Sequence, residues 1–229
     1  MSDYQDHLFA KHLGPQIAEG ASIHDSCQIE MGAQISAESV IGPDVHIGQF
    51  VSTVGAVHIQ SAVTVHPYTT LVGPLHIGEG AVIGPGGIIG LNRADPERQH
   101  THLMAHCRVG RGAQILAGVT VGRHARIRAA SLVTGDVPHY GIAASNPAIL
   151  EAFACPICGG LLSQVGLEGD EVEAHCETCV SGEHRFTHKF KADSINRVLL
   201  PRHTFGATGR PLGHPRAWRD EEEIEVSRT

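Results

Sequence analysis

The chain is poor in aromatic residues: Phe, Tyr and Trp make up 4% of 229 residues, with a single Trp. Rings supply the largest buried areas in most cores, so small aliphatic side chains must do the packing here. No stretch comes near the roughly 20 consecutive apolar residues needed to span a bilayer. The opening MSDYQDHLFAKHL lacks the apolar centre of a secretory signal. The expected compartment is therefore the cytoplasm, with no membrane partner. An excess of cationic charge is also missing. Lys and Arg number 17 against 24 Asp and Glu, a net charge of −7 with the 17 His neutral, which argues against a nucleic-acid partner. Cysteine is scarce at six residues. Four of the six stand in CxxC pairs, a pattern that in a reducing compartment points to metal and not to disulfides.

Glycine, at 27 residues, is plentiful, and with it comes a period. Ile23, Ile29, Ile35, Ile41, Ile47, Thr53, Ile59, Val65, Leu71, Ile77, Ile83 and Ile89 fall at successive steps of six. Four residues after each comes a mostly small or β-branched partner, among them Ala33, Val45, Val51, Val63 and Ala81. The rhythm returns at Val109, Ile115, Val121, Ile127 and Val133. Neither a helix nor a simple strand alternation requires a step of six. A coil of short flat faces, each pointing one aliphatic residue inward, does. Gly, Asp and Asn near the corners permit the turn conformations, and stacking such coils pairs every backbone group with the coil above or below. The spacing predicts an all-β solenoid, with Thr53 as its one polar inward residue on the six-residue step, bonded to the backbone of a neighbouring coil.

The stretch IIGLNRADPERQHTHLMAHCRVG interrupts this rhythm. Twenty positions separate Ile89 from Val109, two more than a multiple of six, so a segment leaves the coil here and the expected excursion covers 90–108. Excursions from one face of a repeat stack are common binding sites.

The hexapeptide pattern, closing in VGRHARIRAASLVTGDVPHYGIAASNPA at 121–148, resembles the hexapeptide-repeat acyltransferases, over roughly residues 21–150. Ser131, Val133, Thr134, Asp136, Val137 and Pro138, then Asn146, Pro147 and Ala148, match the family's closing signature. The layout looks most like the sugar-nucleotide amino-sugar N-acetyltransferases, which also carry an Asn-containing excursion, where Asn92 and Asp95-Pro96 stand here. The resemblance implies a left-handed parallel β-helix, a homotrimer, and acetyl-CoA lying in a groove between two subunits, with a sugar nucleotide as acceptor. It also implies donor contacts around the later coils, at Gly118, Arg123, Arg126, Arg128, Ser131 and Asn146. The family's usual cations are replaced by Gly135 and Ile149, and the three arginines are the substitutes for them, since a phosphate-rich donor needs cationic partners.

Acetyl transfer needs an acceptor freed of its proton and a polarised carbonyl. A histidine titrating near neutrality suits the first task, and backbone N–H groups exposed at the register break suit the second. His100, His102 and His106 lie in or beside the excursion. His100 or His102 is the expected base, with Asn92 orienting the acceptor or cofactor. The competing reading makes them solvated loop histidines. His46, His58 and His76 precede aliphatic positions and are expected to point outward with no special role, His24 and His66 follow such positions, and His124 falls at a corner. Cys107 is expected to be a small packed thiol.

Beyond Ala148 the composition changes. Cys155, Cys158, Cys176 and Cys179 form C-x2-C-x17-C-x2-C. Two such knuckles hold structural Zn²⁺ in tetrahedral thiolate coordination and leave no open position. The pattern resembles a zinc ribbon, with strands LLSQVGL and DEVEAHC between the knuckles. His175 is an alternative ligand, and a redox CxxC is the competing reading. The expected division is a cap over 1–20 with an apolar helical face at Tyr4, Leu8, Phe9 and Leu13, a solenoid over 21–150, the ribbon over 151–193 and a tail over 194–229. Two other functions compete with acyl transfer. His102-x3-His106-Cys107 faintly resembles the paired His of γ-class carbonic anhydrases on the same scaffold, and a trimer presenting ribbons to a partner needs no active site.

Overall fold

The computed structural model describes residues 14–91, 100–155, 157–168, 171–176, 186–191 and 226–228. Among them there is no helix, and the strands stack as a three-faced parallel solenoid. The first coil is β1 (Gln16–Ile17), β2 (Ser22–Ile23) and β3 (Gln28–Ile29). The second and third are β4 (Gln34–Ile35), β5 (Val40–Ile41) and β6 (His46–Ile47), then β7 (Ser52–Val54), β8 (Val57–Ile59) and β9 (Thr64–Val65). The fourth is β10 (Thr70–Val72), β11 (Leu75–Ile77) and β12 (Val82–Ile83), and the fifth is β13 (Ile88–Leu91), β14 (Thr101–Leu103) and β15 (Arg108–Val109). The sixth is β16 (Gln114–Leu116), β17 (Thr120–Val121) and β18 (Arg126–Ile127), followed by β19 (Leu132–Val133). Every third strand shares a face. Face A holds β1, β4, β7, β10, β13, β16 and β19, face B runs from β2 to β17, and face C from β3 to β18.

The inward positions are those of the six-residue step. Ile47, Leu71, Ile77, Ile83, Ile89 and Ile115 are fully enclosed, and the small partners Ala33, Val45, Val51, Val63, Ala81 and Ala113 are enclosed with them. Thr53 is buried, and its hydroxyl accepts the Ser36 backbone N–H at 2.8 Å from the coil below, as expected, while also bonding to the Ser36 and Ser39 hydroxyls. The coil turns through residues in the left-handed region. One edge, between faces B and C, carries Asp44, Ala62, Gly80, His106, His124 and Tyr140 in a column at positive φ. Such angles are costly for most residues but several-fold commoner for Asp and His.

Two boundaries differ from the sequence expectation. Coiling begins at Gln16, because β1 already pairs with β4. The coil also resumes earlier than Val109. Leu71 pairs with Ile89 at a coil step of eighteen, whereas Ile77 pairs with Leu103 at twenty-six. The insertion is thus eight residues, and Leu103, with no exposed surface, is the aliphatic residue that restores the step. Nine of the positions assigned to the excursion, 100–108, fall after it, and the strands there, Thr101–Leu103 and Arg108–Val109, are coil strands paired on both sides. Residues 92–99, and with them Asn92, Asp95 and Pro96, lie outside the described residues, as do Tyr4, Leu8, Phe9 and Leu13 of the expected cap.

The far end is not a simple stop. The Thr120 N–H donates to Asp136 Oδ1 at 2.8 Å, so the Asp of the closing signature pins the last turn. Face C then continues through β20 (Gly141–Ala144) and reverses into antiparallel β21 (Ile149–Ala154), β22 (Leu161–Glu168), β23 (Glu171–Cys176), β24 (Phe186–Lys191) and β25 (Val226–Arg228). The two strands expected between the knuckles are thus β22 and β23, paired with each other. The tail expectation over 194–229 meets one described element, β25.

Candidate functional site

The coil register decides which side chains meet. On face B, outward positions of successive coils stand one above another, and the column reads Val40, His58, His76, His102, Thr120. Three imidazoles therefore line one face. His76 and His102 have ring centroids 6.1 Å apart, and His100 lies 6.4 Å from His102. His100 is exposed at the end of the insertion, and His102 is half-buried on β14. The two expected bases are thus brought together. Burial lowers the His76 pKa, and the nearby His58 lowers it further, which keeps His76 neutral and able to accept a proton near pH 7. Because the coil step is eighteen, His58 and His76 were detectable as one column. The eight-residue insertion hid their relation to His102.

His106 lies apart, on the B–C edge. Its ring stacks on His124 at 4.9 Å, and His124 stacks on Tyr140 at 5.0 Å. The expected grouping of His106 with His100 and His102 is not what the register produces. His46 bonds Glu30 at 2.8 Å and His24 bonds Ser26 at 2.9 Å, each in a local contact. Cys107 is fully enclosed, and burial pushes its thiol up to about 12. It is the packed thiol expected.

The six donor-contact candidates do not form one cluster. The Gly118 N–H donates to Thr101 Oγ1 at 3.1 Å. Ser131 is an inward residue, 1% exposed, whose carbonyl accepts from Gln114 and whose hydroxyl has no hydrogen-bond partner among the described residues. It faces the coil interior, away from any external ligand. Arg128 Nε pairs with Glu151 Oε2 at 2.8 Å. Arg123 is an exposed corner residue, and Asn146 is exposed beyond β20. Arg126 stands in a concave place, an open cleft of about 350 Å³ that it shares with Arg108, His106, His124, Tyr140 and Gly159. Nothing in the sequence position of Arg108 marks it as a site residue. Its signal is the register, which places it directly beside Arg126.

At the other wall of that cleft are the cysteines. The Sγ atoms of Cys155, Cys158 and Cys176 lie within 4.8 Å of one another, with Cys158 and Cys176 at 3.3 Å. Backbone N–H groups of Ile157 and Gly160 point at the sulfurs of Cys155 and Cys158, each at 3.4 Å. N–H groups aimed at sulfur stabilise thiolates, so the donor set fits a tetrahedral soft-metal site. Cys179 lies outside the described residues.

No family model matches the chain. Over 142 residues it is 31% identical to the bifunctional protein GlmU of Paracoccus denitrificans, covering 57% of this chain and 31% of that protein. It is 34% identical over 127 residues to GlmU of Sorangium cellulosum, covering 56% of this chain and 26% of the relative. The chain therefore spans less than a third of the length of these curated relatives. Among solved structures, a mutant of AntD, an N-acyltransferase from Bacillus cereus, in complex with dTDP and coenzyme A, superposes with a TM-score of 0.48 at 20% identity, over 66% of this chain and 90% of that one. A mutant of GDP-perosamine N-acetyltransferase from Caulobacter crescentus, bound to CoA and GDP-perosamine, gives a TM-score of 0.27 at 19% identity, over 65% of this chain and 64% of that one.

The two histidine groups meet at the fifth coil. His102 on β14, His106 at the edge and Arg108 on β15 follow one another around the fifth coil. An imidazole column on face B and a guanidinium pair on face C are thus separated by a single corner.

Proposed function

We propose that this chain is an acyl-CoA-dependent acyltransferase, moving acetyl from acetyl-CoA to an amino or hydroxyl group of a nucleotide-linked sugar. The observation that carries the reading is the position of His102, on the first strand after the insertion, between His76 and Thr120 in the face B column and beside His100. The GlmU relatives support the same chemistry.

In this reading His102, or His100 next to it, takes the proton from the acceptor as its nitrogen or oxygen attacks the thioester carbon. The carbonyl oxygen gains the charge and is met by N–H groups at the register break, where Asn92 also orients the acceptor. The carbon–sulfur bond then breaks, and the departing thiolate takes the proton. Base catalysis of this kind contributes about 10²–10⁴-fold. Arg123, Arg126 and Asn146 receive the donor's phosphate end. The assembly is a homotrimer of left-handed coils, with the donor groove closed by a neighbouring subunit, and the compartment is cytoplasmic. Cys155, Cys158, Cys176 and Cys179 hold structural Zn²⁺ in a ribbon, and the metal supplies folding free energy to a module with little core of its own.

The test is release of free thiol from acetyl-CoA with a panel of nucleotide amino-sugars. The parent chain is expected to turn over one of them, and His102→Ala or His100→Ala to lower turnover by about 10²–10⁴-fold with the trimer intact. Unchanged turnover in both variants refutes the base assignment.

A further inference from the structure

Arg108 and Arg126 occupy directly opposed positions on β15 and β18, neighbouring strands of a parallel sheet. Strand spacing brings such residues to about 4.8 Å at the backbone. Neither guanidinium has a carboxylate partner among the described residues, whereas Arg128, two residues further on, is paired with Glu151. Two permanent cations side by side repel each other, and they are retained here beside His106, His124 and the Tyr140 phenol. Burial lowers the His124 pKa, and His106, Arg123 and Arg126 lower it further, as cations close by do. Among the described residues no acidic side chain lines the cleft. Paired forks on one wall of a concave site match the oxygens of a phosphate group.

The opposite wall is the cysteine knuckle. Gly159 has φ +72°, and a Cβ at this position would stand 2.5 Å from Arg126 Nη2. The turn between Cys158 and Gly160 is therefore laid against the guanidinium, and a side chain at 159 would have to displace the end of Arg126. The Gly159 N–H donates to the Cys155 carbonyl at 2.9 Å, which ties that turn to the metal-binding cysteines.

We propose that the cleft between Arg108, Arg126 and the Cys158–Gly160 turn is a phosphate-binding site whose roof is shaped by the metal-loaded knuckle. The inference rests on the acyltransferase reading only for the owner of the phosphate, which is either the donor's nucleotide end or the diphosphate of the acceptor. The ligand bridges the two guanidiniums and removes their repulsion, and loss of the metal frees the turn that positions Arg126.

Titration calorimetry on the full zinc-loaded chain with inorganic pyrophosphate, CoA and dephospho-CoA tests this. Pyrophosphate is expected to bind. Arg108→Gln and Arg126→Gln should each weaken it about ten- to a hundredfold, the worth of a charge-assisted hydrogen bond. Arg108→Lys should restore part of the loss, and Arg111→Gln, which removes a charge outside the cleft, should change little. Pyrophosphate affinity equal to the parent's in both glutamine variants overturns the site. Chelation of zinc, or Cys158→Ser, should weaken binding similarly, and unchanged affinity after either treatment overturns the role of the knuckle. A preference for CoA over dephospho-CoA that disappears in Arg108→Gln assigns the phosphate to the donor's 3′ end, and equal binding of the two rules that group out. Arginine-dependent pyrophosphate binding in a chain that transfers no acetyl group counts against the acyltransferase reading and leaves this inference standing.

Discussion

Leu103→Ala separates a coil residue from an excursion residue. Leu103 is fully enclosed, with Ile77 and Val121 opposite it in the coils on either side. Truncation to Ala removes three carbons, about 2.4 kcal/mol of transfer free energy at ~0.8 kcal/mol each. A cavity term of about 24 cal/mol per Å³ adds to this where the surroundings cannot close in. Here they cannot, because the strands above and below are held by parallel ladders. The expected loss is about 4 kcal/mol, toward the upper end of the usual range for buried leucines. In urea, with an m value of about 2 kcal/mol/M, the unfolding midpoint should fall by about 2 M. The neighbouring His102→Ala is half-exposed and should move the midpoint by less than about 0.5 M, while it abolishes most turnover. A Leu103→Ala midpoint within about 0.5 M of the parent, at an m value near 2, would mean that the chain is still outside the coil at residue 103. The reasoning that puts His102 on a rigid strand would then fail.

Three further outcomes are expected. Purified chain should bind one zinc, and Cys155→Ser or Cys176→Ser should lose it, measured by atomic emission; a second metal lost on His102→Ala would favour the carbonic anhydrase alternative. His76 and His124 both have pKa values lowered by burial, so the unfolded chain binds protons that the folded chain refuses. Stability should be fully present above about pH 6.5, the unfolded value, and fall as the pH drops below it; a denaturation midpoint flat from pH 7 to pH 5 contradicts this. Cys107, enclosed and with its thiol pushed up to about 12, should resist iodoacetamide at pH 8 until the chain unfolds; peptide mass mapping of native protein that finds Cys107 alkylated overturns its placement.

The six-residue period was sufficient to define the solenoid, its inward residues and the buried Thr53, because each inward position is a local consequence of a flat face and a turn. It also marked where the coil is interrupted. The cysteine spacing likewise pointed to a knuckle pair, and three of the four thiols do converge. The period misjudged where coiling begins, at Gln16, and where it resumes, at Leu103. A single aliphatic residue carries no phase of its own, and only pairing with Ile77 reveals that Leu103 belongs to the stack.

The rest was decided by tertiary structure. Residues eighteen or twenty-six positions apart become neighbours only through the stacking of coils, so the column of His58, His76 and His102 and the pair of Arg108 and Arg126 have no local signature. The same stacking turned Ser131 inward and gave Arg128 to Glu151. A sequence states the chemistry of each side chain, but a parallel ladder chooses its companions, because the register between coils is set by backbone hydrogen bonds made across the whole intervening turn.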